Sequence, residues 1–245
     1  LKLTVLGCYG PYPKAGGACS GYLLESEDTK ILIDCGNGVL SRLFSYCEDL
    51  NELDAIFVSH LHPDHISDLM VLRYAIFLKR MTGKLKKSIP IYLPATPVDE
   101  YERIQYKDSF VLNIINEKSV VNIKGINIRF KQTRHPIECY AMSFEKNDKK
   151  FVFSGDTSYF DELIEFVKES DLFLCEANVL QKHITETVPH LSGKQAAEIA
   201  FKANVKRLIL THIWPDINLD DLLNEAKEIF TNNVELAESH KEYYI

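Results

Sequence analysis

The sequence predicts an α/β (α+β) protein: one layered domain, residues 1–245, with helices outside two packed sheets. Three observations lead there. Short β-branched and aromatic runs recur in two successive sets, the pattern of strands. Helical faces are interspersed among them, as a layered architecture requires. No repeat, low-complexity linker or composition break divides the chain, and 245 residues suffice to bury one large core.

Residues 3–6 open the chain as a strand, and a loop punctuated by glycine and proline runs from Gly7 to Gly21. That loop lacks the G-x-x-x-x-G-K-[ST] spacing, which excludes a nucleotide-binding P-loop. It either borders an active site or is an ordinary connection. Residues 21–25 and 30–34 read as a hairpin, after which Val39, Leu40, Leu43, Phe44 and Cys47 share one helical face.

The next apolar run, Ala55-Ile56-Phe57-Val58, reads as a buried strand and empties into Ser59-His60-Leu61-His62-Pro63-Asp64-His65. Three imidazoles and a carboxylate within six residues form a metal nest. In an extended segment alternate residues share a face, so His60, His62 and Asp64 converge while His65 points elsewhere, and one loop serves two metals. Nitrogen and oxygen donors without cysteine suit zinc, with manganese or iron as alternatives, in an open rather than a closed structural site. Asp34, at the end of the second hairpin strand, either braces this loop or simply ends its strand.

Leu69, Leu72, Ile76 and Phe77 mark a helix running into the basic stretch Lys79-Arg80-Met81-Thr82-Gly83-Lys84-Leu85-Lys86-Lys87, whose cations either contact a phosphate-bearing substrate or, the better reading, complement a helix C-terminus and solvate a loop. Residues 89–93 form a strand, and Thr96-Pro97 supplies an N-cap with proline at the first helical position. Strands recur at residues 110–115, 120–123, 126–133, 141–145 and 151–154, with Asn147-Asp148 as a tight turn. Phe160, Leu163, Ile164 and Val167 form a helical face, residues 172–175 a strand, and Ser192-x-x-Gln195 a capping box opening a helix through Ala200. Residues 207–210 are a buried strand, and Asn218 caps a helix with Leu219, Leu222, Leu223, Ala226 and Phe230 inward.

A net charge of −7 argues against a sequence-independent grip on a polyanion. The six cysteines are scattered without a C-x-x-C pair and read as reduced thiols of a cytoplasmic protein. No signal-peptide pattern opens the chain and no apolar run reaches membrane-spanning length, so no membrane partner is expected.

Four further acidic or imidazole side chains follow apolar strands: His135, Asp156, Glu176 and His212. Strand ends at one sheet edge are where a scaffold can gather ligands from distant parts of a chain. With these residues the sequence resembles the metallo-β-lactamase superfamily, whose H-x-H-x-D-H motif matches His60, His62, Asp64 and His65. The resemblance covers almost the whole chain and implies a four-layered αββα metallo-β-lactamase sandwich forming one hydrolase domain. It implies that His60, His62 and His135 hold one of two divalent ions, that Asp64, His65 and His212 hold the other, and that Asp156 bridges them. Aspartate at Asp156, where most β-lactamases proper have cysteine, points to the dinuclear hydrolases of the superfamily.

Glu176-Ala177 and His190-Leu191-Ser192-Gly193-Lys194-Gln195-Ala196-Ala197 resemble the RNase Z branch of tRNA 3′-end-processing phosphodiesterases. That match makes His190 the general acid and Glu176 its orienting partner, with Asp64 counted among the catalytic carboxylates. On structural grounds alone His190 instead packs ahead of a helix N-cap. The interval between His135 and Asp156 holds only a hairpin where tRNA-gripping enzymes carry a long arm, which implies a small phosphodiester, a nucleotide or an RNA end as substrate. The mechanism that the resemblance implies is one in which two bound metals would activate water for in-line attack and His190 would deliver the proton to the departing oxygen. A thioester hydrolase resembling glyoxalase II and a non-catalytic metal-binding protein on the same fold are the competing expectations. The family resemblance also implies a homodimer. His183 and His240 fit no pattern and read as surface residues, and Cys139 and Cys175 as small apolar packing groups.

Overall fold

Alternation within the strands decides the architecture. The computed structural model describes residues 1–231 and 233–245. Strands β1 (Lys2–Gly7), β2 (Gly21–Ser26), β3 (Thr29–Ile33), β4 (Leu53–Phe57), β5 (Ile89–Leu93) and β6 (Phe110–Ile114) enter a first sheet. Strands β7 (Val120–Ile123), β8 (Ile126–Gln132), β9 (Tyr140–Lys146), β10 (Lys149–Phe153), β11 (Leu172–Glu176), β12 (Leu208–Thr211) and β13 (Val234–Leu236) make a second, and β14 (Glu242–Tyr244) returns to the first. The orders are β14-β1-β2-β3-β4-β5-β6 and β13-β12-β11-β10-β9-β8-β7, seven strands in each.

Side chains of successive residues leave a strand on opposite faces. Tyr22, Leu24, Ile31, Ile33 and Phe57 therefore meet Met142, Phe144, Phe151, Phe153, Leu172 and Leu174 between the sheets. Their neighbours Leu23, Leu32 and Ile56 face outward onto helices α1 (Val39–Leu43) and α3 (Leu69–Met81). Val152, Phe173, Cys175, Leu208 and Leu210 face the other way, onto α5 (Asp161–Val167), α6 (Gly193–Lys202) and α7 (Leu219–Lys227). The layers are helix, sheet, sheet, helix, the four-layered αββα sandwich that the resemblance implied. Two short helices, α2 (Pro63–Ile66) and α4 (Val98–Ile104), complete the set.

Both sheets are mixed. In the first, β1, β2 and β3 pair antiparallel while β3 to β6 run parallel; in the second, β7 to β10 are antiparallel and β10 to β13 parallel. Parallel strands present their carboxyl ends at one edge, where open α/β sheets place their ligands.

The Asn147-Asp148 turn joins β9 to β10 with both residues at positive φ, 52° and 58°, and the Ser192/Gln195 capping box and the Asn218 cap are present. Thr96 is not an N-cap. Pro97 occupies the cap position with extended backbone, the helix starts at Val98, and the Thr96 hydroxyl donates to Glu138 Oε2 at 2.8 Å instead. Strands β13 and β14 were not expected: each has three residues and neither has an apolar run. The basic stretch after α3 is used locally, Arg80 pairing with Asp108 at 2.7 Å and Lys79 lying over the Phe44 ring. His183 and His240 are exposed, and all six cysteines are free and buried. Among the described residues no helix is long and apolar enough to cross a membrane.

Candidate metal centre

Strand β4 stops at Phe57, and the next residues leave the sheet edge. Ser59 is fixed by Asp34, whose carboxylate accepts from the Ser59 backbone N–H at 2.8 Å and hydroxyl at 2.9 Å. His60 is fully buried; Leu61 turns into the outer core. The extended alternation ends at His62, because that residue is the N-cap of α2 and Pro63 is its first residue. Asp64 and His65 therefore lie in a helical turn, side by side. The grouping expected from a continuous strand is thus corrected: His60 and His62 share a cluster with His135, while Asp64 groups with His65 and His212.

The remaining side chains come from strand ends of the second sheet. His135 follows β8, Asp156 follows β10, Glu176 is the last residue of β11 and His212 comes directly after β12. Gly155, at φ 59°, makes the turn that admits Asp156; a Cβ there would come within 2.8 Å of the Tyr140 carbonyl oxygen. His212 and Asp34 also adopt left-handed backbone, φ 53° and 56°. Non-glycine residues held there are concentrated at functional sites.

In the first cluster His62 Nδ1 stands 3.0 Å from His60 Nε2 and 3.1 Å from His135 Nε2. In the second, Asp64 Oδ2 lies 3.0 Å from His212 Nε2 and 3.5 Å from His65 Nε2. Asp156 stands between them, Oδ2 at 3.6 Å from His60 Nε2 and 3.3 Å from His212 Nε2, Oδ1 at 3.5 Å from His65 Nε2. His65 Nε2 and Asp156 Oδ1 are buried without a hydrogen-bond partner. Orphaned buried polar atoms demand a reason, and a cation between them supplies one. The donor set of imidazole nitrogen and carboxylate oxygen fits divalent zinc, manganese or iron.

The electrostatics of the protein without ions sort the imidazoles. Burial holds His60 and His62 below their ordinary pKa and pushes His135 down to about 4, which keeps their nitrogen lone pairs available. Burial also opposes charge on His65, but the carboxylates of Asp156, Asp64 and Asp34 overcome it and hold its pKa well above the usual value. Desolvation would raise the pKa of Asp64 and Asp156; the surrounding imidazoles outweigh it and keep both carboxylates ionised.

Beside the clusters, Glu176 is fully buried and accepts three hydrogen bonds: from Thr157 N at 2.7 Å, from His190 Nδ1 at 2.9 Å and from Leu191 N at 3.2 Å. The His190 ring stacks on His212 at 5.4 Å between centroids and meets His135 edge-on at 5.5 Å. Burial disfavours its charged form, yet Glu176 outweighs burial and raises its pKa to about 9.

Three residues support the ligands, of which the sequence offered only Asp34, as one of two readings. Asp34 resolves to the brace: besides Ser59 it takes His65 Nδ1 at 2.7 Å. Ser59 carries no signal of its own, and Asn178, two residues beyond Glu176, donates to the carbonyl oxygens of His212 at 2.9 Å and Gly10 at 3.0 Å. The glycine-punctuated loop does border the site.

Residues 29–213 match the family model described as a beta-lactamase superfamily domain. The chain belongs to the beta-lactamase superfamily. Within this family it is 35% identical to a Bacillus subtilis protein named probable metallo-hydrolase YhfI, across 98% of each chain. The crystal structure of YhfI, a metallo-beta-lactamase fold protein, superposes with a TM-score of 0.95, covering 99% of this chain and 98% of that one. Ribonuclease Z of Clostridioides difficile is 26% identical over 96% of this chain and 95% of its own. The human short-form tRNase Z structure shares the fold, with a TM-score of 0.77 at 22% identity over 100% and 99% of the two chains. The superfamily resemblance read from the histidine motif therefore stands, with RNase Z proteins among the relatives. The chain is a member of a metallo-hydrolase family and carries histidine and aspartate clusters able to bind metal.

Proposed function

We propose that this protein is a dinuclear metal-dependent phosphodiesterase acting on a small phosphodiester, a nucleotide or an RNA end. In this reading the whole chain, residues 1–245, works as one hydrolase unit. His60, His62 and His135 hold one divalent ion, Asp64, His65 and His212 the other, and Asp156 faces both, with zinc the expected metal. When bound, such ions activate water and take up charge on phosphoryl oxygens.

The chain's own contribution beyond ligation is His190. Its Nδ1–H is held by Glu176 at 2.9 Å, which leaves Nε2 as the atom that can give up a proton. The ring stands against His212 and His135, one from each cluster, so a departing oxygen at the centre is within its reach. This pair is the single observation that carries the phosphodiester reading, because an alkoxide leaving group needs a proton donor. RNase Z relatives support it. The interval between His135 and Asp156 holds only β9 and β10 joined by their two-residue turn, which supports a substrate smaller than a folded tRNA.

Free, buried cysteines support a reducing, cytoplasmic setting. Exposed Val71, Tyr74, Leu78 and Met81 fall on one face of α3 and support a homodimer. Met81→Glu should then shift the chain to monomer in light scattering; an unchanged mass would remove this support.

The test of function is hydrolysis of bis(p-nitrophenyl) phosphate by metal-analysed protein beside a thioester, with His60→Ala as background. Diester activity that follows metal content and disappears in the variant is the expected result. Thioester turnover without diester turnover would overturn the reading in favour of a glyoxalase II-like hydrolase. Fully loaded protein inert on both would favour a non-catalytic role.

A further inference from the structure

Two aromatic residues, Tyr12 and Trp214, each lie two positions from a residue at the candidate metal centre and are not among its ligands. Trp214 lies two residues beyond His212, at most about 7 Å along the chain. Tyr12 comes from the loop after β1, and backbone pairing brings it to the same place. Ile213 N donates to the Cys8 carbonyl oxygen at 2.8 Å, and Gly10 N to that of Ile213 at 3.2 Å. Gly10 lies so close to His212 that a Cβ there would come within 2.0 Å of the ring's Nε2. Any side chain at that position would fill the space of the ring.

The two rings are tied by their polar edges. Trp214 Nε1–H donates to the Tyr12 hydroxyl oxygen at 2.9 Å, and the Tyr12 hydroxyl donates in turn to the Asp216 carboxylate. The far side of the loop is anchored by Arg42, which donates to the Leu6 carbonyl oxygen at 2.6 Å and to that of Gly16. Tyr12 nevertheless remains 44% exposed and Trp214 is only partly buried. An exposed tyrosine ring tied to a half-buried tryptophan beside a candidate phosphate-binding centre is a poor use of apolar surface unless something planar covers it.

We propose that Tyr12 and Trp214 form a stacking platform for the nucleobase of a nucleotide substrate whose phosphate sits at the metal centre. This deepens the phosphodiesterase reading and rests on it for the position of the phosphate. Stacking on such a platform tolerates any base, because every base has a π-face. Selectivity then lies between substrates with and without a base.

Trp214 is the only tryptophan of the chain, so fluorescence excited selectively at the indole, beyond the absorption of the tyrosines, reports on this position. The experiment titrates zinc-loaded protein with adenosine 5′-monophosphate and with ribose 5-phosphate, which carry the same phosphate with and without the base. Saturable quenching by the nucleotide and none by the sugar phosphate is expected. Tyr12→Ala should weaken nucleotide binding about tenfold in calorimetry and leave sugar phosphate binding unchanged, on the scale of one lost stacking partner. Tyr12→Phe keeps the ring but loses the tie to Trp214, and should bind more weakly than the parent and clearly better than the Ala variant. Equal quenching by both probes, quenching by neither, or a Phe variant as weak as the Ala variant would overturn the proposal and leave the pair as a loop staple. Neither probe is a phosphodiester, so the readout is independent of turnover. Base-specific quenching in a protein inert on every diester would sink the phosphodiesterase reading and keep the platform, and the converse result would do the reverse.

Discussion

Replacing Glu176 by glutamine separates the charge behind His190 from the shape that holds it. The carboxylate accepts from Thr157 N, His190 Nδ1 and Leu191 N at 2.7, 2.9 and 3.2 Å, all of them donors. An amide has one acceptor oxygen. If that oxygen takes the place of Oε1, the bonds from Thr157 and His190 survive as neutral ones and the NH2 group faces the Leu191 N–H. The reverse orientation sets NH2 against two donors and is worse. The better orientation leaves a buried donor unpaired, about 1–3 kcal/mol of stability. Without the anion, burial is opposed only by the more distant carboxylates of Asp156 and Asp64, and the His190 pKa falls from about 9. A smaller share of the ring then carries the proton it must give up at neutral pH. Turnover of a substrate with an alkoxide leaving group should fall roughly 10²-fold or more, the scale of general acid catalysis. A nitrophenolate leaves without help, so bis(p-nitrophenyl) phosphate should lose far less. The assay compares kcat on that diester and on a dinucleotide, with metal content measured in parallel. Equal losses on both substrates, or a loss that follows depleted metal, would refute the assignment of Glu176 and His190.

Asp156→Ala should deplete at least one metal in elemental analysis, since this carboxylate faces both clusters. Asp34→Ala removes the partner of His65 Nδ1 and of Ser59, and should weaken metal affinity about 10–100-fold in chelator competition while leaving every ligand in place. In metal-stripped protein, His190 has a folded pKa of about 9, above its ordinary value of 6.5, so its stabilisation is complete below that ordinary value and is lost as pH rises to about 9. Urea unfolding across that window should show the decline, and His190→Gln should flatten it. Phe57 is fully buried between the sheets, stacked on Tyr92 at 4.7 Å and edge-on to Phe144 at 5.7 Å; Phe57→Ala should cost about 3–5 kcal/mol in the same assay.

What the chain disclosed before its structure depended on distance along the sequence. His60, His62, Asp64 and His65 are neighbours, so their spacing alone carries the chemistry, although not the switch from strand to helix at Pro63 that decides which of them meet. His135, Asp156, Glu176 and His212 were visible because each stands at or just beyond the end of a strand, a local signal repeated four times. Their grouping was available only through the family resemblance. Asp34 stayed ambiguous because its partner His65 is 31 residues away. Thr96 was misread as a cap because the Glu138 carboxylate that claims its hydroxyl arrives from 42 residues further on. The pairing of Tyr12 with Trp214 spans 202 residues and leaves no local trace.

The two seven-stranded sheets contribute unequally to the candidate metal centre, and the His60/His62/His135 and Asp64/His65/His212 clusters each draw on both. His60, His62, Asp64 and His65 leave the first sheet after β4, while His135, Asp156 and His212 leave the second. Ions bound there would be rivets through both plates of the sandwich at its open rim. Binding energy at such a rivet is also folding energy. Chelation should therefore loosen the seam from the rim inward, with amide exchange rising first at the ends of β4, β10 and β12. The two halves of the chain would hold their register more firmly whenever metal is bound.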